Sequence, residues 1–307
     1  MCAVLFSSAG VAHGATLRLA APSNGPFAVG EIVMRFTDHS RFVTIPGQGS
    51  VPRPLVTEVR YPAIGDPART DVHGATPDRS SGPFPLIVFA HGYNITPDPY
   101  AQLLDAWARA GYVVAAPIFP LTNANAPGGA NRSDLFNQPP DVSYVITRML
   151  VRSAARRGFL SRLLNAHEIA VSGQSDGGST ALAVAYNSAF ADHRIGAAMI
   201  FSGAELGVGA YTFPMPTPPL LAVQGTADTS NAPASTYHFF GAAPQPKYLL
   251  SLLGAGHLPP YTSQQPQLGI VERVTVAFLD RYLKRINGSA ARMSGAGNVA
   301  GVATLTS

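Results

Sequence analysis

The apolar positions of this chain change rhythm near residue 85. Before it, Gly30 to Phe36 and Leu55 to Tyr61 alternate apolar with polar side chains. That period of two belongs to half-buried strands and predicts an antiparallel pair. Residues 64–85 are rich in Pro, Gly, Asp and Ser and read as loop. Leu86-Ile87-Val88-Phe89-Ala90 is then continuously apolar, as in a strand covered on both faces. Asp98 and Pro99 open a helix that runs to about Ala110, with Asp98 expected to cap its amides. Strands are expected at 112–116, 168–172, 195–201, 219–223 and 247–252. Helices are expected at 142–157, 177–188 and 267–286, the last with Val271, Val274, Phe278 and Tyr282 at helical spacing. Residues 117–140, full of Pro, Asn and Gly, form a long loop. Strands alternating with helices predict an α/β architecture: a mostly parallel, eight-stranded sheet with helices on both faces.

Composition narrows this picture. The 307 residues are 46% hydrophobic and only 12% charged, which favours a folded domain over disorder. The net charge of +4 comes from scattered arginines, with Lys247 and Lys284 the only lysines. No basic stripe with interleaved aromatics is present, so no nucleic-acid partner is expected. Cys2 is the only cysteine, which excludes an intramolecular disulfide. Residues 1–15 pair an apolar run with small residues ending at Ala15 and read as a truncated signal peptide, implying secretion to the extracellular space or periplasm. Residues 16–287 form one domain, and 288–307, small and polar, read as a flexible tail. No segment is long and apolar enough for stable membrane insertion.

The sharpest feature is Gly173-Gln174-Ser175-Asp176-Gly177-Gly178, a G-x-S-x-G motif between a predicted strand and a predicted helix. A strand that turns abruptly into a helix strains the serine backbone and exposes its oxygen, and only glycines fit two residues away on either side. A serine hydroxyl needs a base, and the base needs an acid to orient it. Three histidines follow the serine. His193 lies beside Arg194 ahead of a strand, and His238 sits among aromatics in a predicted helix. His257, in Gly254-Ala255-Gly256-His257 after a strand, is the expected base. Asp228, just beyond the strand ending in Gly225, is the expected acid, with Glu205 as the runner-up. The oxyanion hole is assigned to the backbone amides of Asp176 and of Tyr93 in His91-Gly92-Tyr93-Asn94. His91, before a glycine, is expected to make a structural hydrogen bond. Asp176 is expected to add negative charge and disfavour anionic substrates.

His91-Gly92-Tyr93, the Gly173–Gly178 elbow, Gly225-Thr226-Ala227-Asp228 and Gly256-His257 occur in order at the spacing of secreted bacterial α/β-hydrolases. The stretch from about Phe27 to Ile286 resembles the branch holding platelet-activating-factor acetylhydrolase-like esterases, chlorophyllase-like enzymes and cutinase-type polyester hydrolases. That resemblance implies an α/β-hydrolase fold with Ser175, His257 and Asp228 as a catalytic triad, no metal, and no organic cofactor. It implies a serine esterase acting through an acyl-enzyme on a small-molecule or polymeric ester. A polyester hydrolase acting on cutin or synthetic polyesters such as PET is the alternative, and a non-catalytic binding protein a remote one. Asp176 stands where the polyester hydrolases often carry Met, and no Trp follows Phe201, so a general esterase fits better. Only a short Pro-rich stretch, Glu205 to Pro218, separates two strands where cap domains usually insert, so no large cap is expected.

Overall fold

The computed structural model describes residues 26–213 and 215–307. The expected signal segment, with Cys2, lies outside the described residues. The chain opens with a hairpin of two long strands, β1 (Ala28–Ile45) and β2 (Gly49–Ala63), paired from Ala28↔Ala63 to Ile45↔Gly49. The alternation in the sequence is thus an antiparallel pair, as expected. A two-residue strand, β3 (Val72–His73), edges β1 inside the stretch read as loop.

The remaining strands are β4 (Phe84–Ala90), β5 (Val113–Ile118), β6 (Leu164–Gln174), β7 (Ala197–Phe201), β8 (Leu220–Gly225), β9 (Lys247–Leu252) and β10 (Ala303–Thr306). They form one sheet in the order β10-β9-β8-β7-β6-β4-β5-β2-β1-β3. Neighbours from β5 through β9 are parallel, and the hairpin and β10 attach antiparallel at the two sides.

Two layers of helix cover the sheet because side chains on a strand point alternately to opposite faces. Ile87, Phe89, Met199 and Val223 pack on one face with α1 (Ala101–Arg109), the four-residue α5 (Pro259–Thr262), α6 (Gln267–Tyr282) and α7 (Ser289–Gly297). Leu86, Val88, Val171 and Ile200 pack on the other with α2 (Gln138–Ala154), α3 (Asp176–Tyr186) and α4 (Pro233–Ala242).

Three expectations need correction. The sheet has ten strands rather than eight, because β3 and β10 are too short to leave a periodic signal. The residues read as a tail form α7 and β10. Met293 and Ala303 are buried against the α6 side, and β10 closes the exposed edge of β9. Small residues there permit close packing, which composition alone reads as disorder. Asp98 does not cap a helix: it begins a 3-10 turn, and its carboxylate accepts the Thr96 hydroxyl at 2.9 Å.

The topology fixes where a site can form. The chain leaves β4 toward β5 on one side, then crosses to place β6 on the other, so a crevice opens where the loops after β4 and β6 diverge. The long loop after β5 is tied to the scaffold through Arg53 of β2. That buried guanidinium grips Asp134 at 2.7 and 2.9 Å and Asp141 at 2.7 Å through both oxygens of each. No helix or strand occupies the described residues between β7 and β8, so no large cap covers the crevice there.

Candidate active site

Strand β6 delivers Ser175 into a tight turn. Its backbone adopts φ 58° and ψ −125°, a strained conformation for a residue with a Cβ. The turn is possible because two glycines flank it: a Cβ on Gly173 would collide with the Gly177 carbonyl, and one on Gly177 with the Ala90 carbonyl. The elbow therefore nests against the end of β4, and helix α3 starts at once with Asp176.

The strain aims the Ser175 hydroxyl at a histidine 82 residues away. Ser175 Oγ lies 2.8 Å from His257 Nε2, and His257 Nδ1 lies 2.7 Å from Asp228 Oδ2. Asp228 follows β8 and His257 follows β9, so adjacent parallel strands carry acid and base. Asp228 Oδ1 accepts the amides of Ser230 and Asn231, each at 2.9 Å. Burial raises the Asp228 carboxyl, but the Asn231 amide and the contact with His257 outweigh it and hold the group below the usual carboxylate range. An ionised carboxylate can only accept, so His257 Nδ1 carries the proton and Nε2 is left to accept from Ser175.

The loop after β4 closes the other side. Gly92 lies against the nucleophile: a Cβ there would stand 3.3 Å from Ser175 Cβ. Within the described residues the backbone amides of Tyr93 and Asp176 donate to no protein acceptor. The structure thus brings together Ser175, Asp228, His257 and the loop carrying Tyr93. His91 plays the structural part expected of it. Fully buried, it has Nδ1 2.8 Å from Gly92 O and Nε2 accepting the Phe119 amide at 3.2 Å. Burial pushes its pKa down to about 4, so the ring is neutral and supports the backbone. The other expectations separate cleanly. Glu205 faces His238 at 3.8 Å, and both His238 and His193 are exposed away from the triad.

Three residues around the site were not legible in the sequence. Gln174, buried beneath the site, donates to the His257 carbonyl at 3.0 Å and accepts the Tyr100 hydroxyl at 2.8 Å. Asn231 reaches the Ser202 carbonyl through its side chain. Arg132, on the loop after β5, grips the Asp176 carboxylate with Nε at 2.8 Å and Nη2 at 2.5 Å. These contacts join positions 29 to 83 residues apart, and no local pattern announces them. The Arg132 contact also corrects an expectation: Asp176 is buried and paired, so it does not present a free negative charge to substrate. The Tyr93 hydroxyl donates to the Ala130 carbonyl at 2.7 Å, so the same loop forms one wall of the crevice. A cavity of about 940 Å³ between α1, α6 and α7 is lined by residues such as Asp105, Glu272 and Arg292, none of them from the triad.

Two comparisons with known proteins bear on the fold. A family model described as Chlorophyllase matches residues 66–203, less than half of the chain. The matched stretch holds the Tyr93 loop and the elbow and stops before Asp228 and His257. A solved ferulic acid esterase from Streptomyces cinnamoneus superimposes with a TM-score of 0.62 at 21% identity, covering 87% of this chain and 93% of that one. No curated protein matches the chain in sequence. The chain has the α/β-hydrolase fold, as the solved structure shows.

Proposed function

We propose that this chain is a serine hydrolase that cleaves carboxylic esters through an acyl-enzyme. The observation that carries the reading is the unbroken hydrogen-bonded relay from Ser175 through His257 to Asp228, with Ser175 held in a strained turn. Ser175 attacks the ester carbonyl while Nε2 of His257 takes its proton. Asp228 holds the ring in the required tautomer and stabilises the cation that forms. The Tyr93 and Asp176 amides receive the oxyanion, which appears only as the carbonyl becomes tetrahedral. His257 then protonates the departing alcohol, and water releases the acid by the reverse sequence.

The uncovered crevice suits substrates whose acyl or alcohol part extends into solvent, and general ester hydrolysis accommodates both matched names. Hydrolysis of cutin-like or synthetic polyesters is a second reading, favoured by the absence of helix or strand in the described residues between β7 and β8. The apolar segment at residues 1–15 supports export of the enzyme.

The experiment is a p-nitrophenyl ester series, acetyl through palmitoyl, with the wild type and Ser175→Ala. Turnover that vanishes in the variant supports the nucleophile, and the chain-length profile with a polyester-film assay ranks the two readings. A wild type inactive on every ester overturns the esterase reading.

A further inference from the structure

The proposed oxyanion hole has an acid built into it. Asp176 would donate its amide to the oxyanion, yet its own carboxylate can stand no more than about 5 Å from that amide, whatever rotamer it adopts. The side chain is 5% exposed, so water screens it poorly. Left alone, this charge would oppose the negative charge that the hole exists to stabilise.

Arg132 answers it. Its guanidinium meets both Asp176 oxygens, at 2.5 and 2.8 Å, in the two-pronged geometry that fits a carboxylate best. The loop that carries Arg132 is fixed on both sides of it. Asn131 accepts the Ser133 amide at 3.0 Å, the Asn131 amide donates to the Leu121 carbonyl, and Asp134 is locked to buried Arg53. The same loop receives the Tyr93 hydroxyl through Ala130, two residues before Arg132. One element therefore touches both residues assigned to the hole.

We infer that Arg132 is a positioning residue that cancels the Asp176 carboxylate, so that the amide of Asp176 can serve a developing oxyanion. The inference rests on the serine-hydrolase reading above. A simple tie between loop and elbow would be an alternative role for the same contact, and the two differ in what rescues its loss.

In Arg132→Met the carboxylate is unpaired. We expect kcat to fall about tenfold to a hundredfold with KM little changed, because the opposing charge acts mainly once the oxyanion forms. Asp176→Asn removes the charge and leaves the backbone amide, and should lose less than Arg132→Met. In the double variant Arg132→Met/Asp176→Asn, kcat should recover most of the loss although the tie is still broken. Arg132→Lys, which keeps the charge, should lie between wild type and Arg132→Met. A double variant no better than Arg132→Met, or an Arg132→Met enzyme with wild-type kcat, overturns the inference. The rate at which a fluorophosphonate labels Ser175 gives the same ordering without any ester. A wild type that is labelled yet turns over no ester defeats the esterase reading, while the order of labelling rates still decides the role of Arg132. A wild type that is not labelled defeats both.

Discussion

Asp228 Oδ2 stands 2.7 Å from Nδ1 of His257, and its other oxygen is occupied by two backbone amides. Acceptance on both oxygens keeps the carboxylate ionised and aligned, which sets the histidine tautomer. Asp228→Asn would keep the shape and present an NH₂ group to Nδ1, reversing the tautomer and placing a proton on Nε2. Esterase kcat should fall by about three to four orders of magnitude. Glu205, paired with exposed His238, makes no contact with His257, so Glu205→Gln should leave kcat within a factor of two or so. Steady-state kinetics of the two variants decide between the acids.

The strain at Ser175 has a thermodynamic signature. A side chain at φ 58° and ψ −125° costs roughly 1–3 kcal/mol, while glycine reaches that region freely. Ser175→Gly and Ser175→Ala should both be inactive. The glycine variant should nevertheless be the more stable of the two by about 1 kcal/mol, even after the added entropy of its unfolded chain. Urea unfolding of the pair measures the difference, and a less stable glycine variant would show that the elbow is unstrained.

Acid should act on the fold through His91. Its folded pKa of about 4 lies below that of an unfolded histidine, so the unfolded state binds more protons between those values. Its contribution is complete above about pH 6.5 and is lost as the pH falls toward 4, by up to about 3 kcal/mol. Glu58, pushed up to about 7 by burial, works in the opposite sense, favouring the folded state as the pH falls from 7 toward 4.5. The two offset each other in the wild type, so the test is a difference. His91→Gln should lose less stability than the wild type between pH 6.5 and 4.5. Equal slopes in urea unfolding at the two pH values would refute the assignment.

The last twenty or so residues should matter to stability. Ending the chain after Asn287 removes Met293 from the core, breaks the Arg292–Asp280 pair at 2.7 Å and strips β10 from β9. We expect Tm to fall by about 5 °C or more, with greater aggregation through the bared edge strand. An unchanged Tm would mean that these residues behave as a tail.

Much of the architecture was legible because it is written in local periods. Strand β9 spans the residues that its apolar run predicts, and the alternation of Gly30 to Phe36 marks β1. The elbow was legible for the same reason: glycine spacing around Ser175 is a local steric demand. The glycine-rich loop of His257 and the strand end before Asp228 also carry short-range signals. Helix α7 and strand β10 were missed because their residues are small and weakly periodic, and they gain stability from α6 and β9 rather than from their own pattern.

The residue types, their order and the turn that strains Ser175 could be read along the chain, since each depends on neighbours within a few positions. That His257 rather than His193 or His238 points at Ser175, and that Asp228 rather than Glu205 backs it, emerges only in three dimensions. The fold alone places Gln174 under the histidine and Arg132 over Asp176. The physical reason is distance along the chain: these contacts form only when parallel strands bring their carboxyl ends to one crevice, and burial then makes each polar group find a partner.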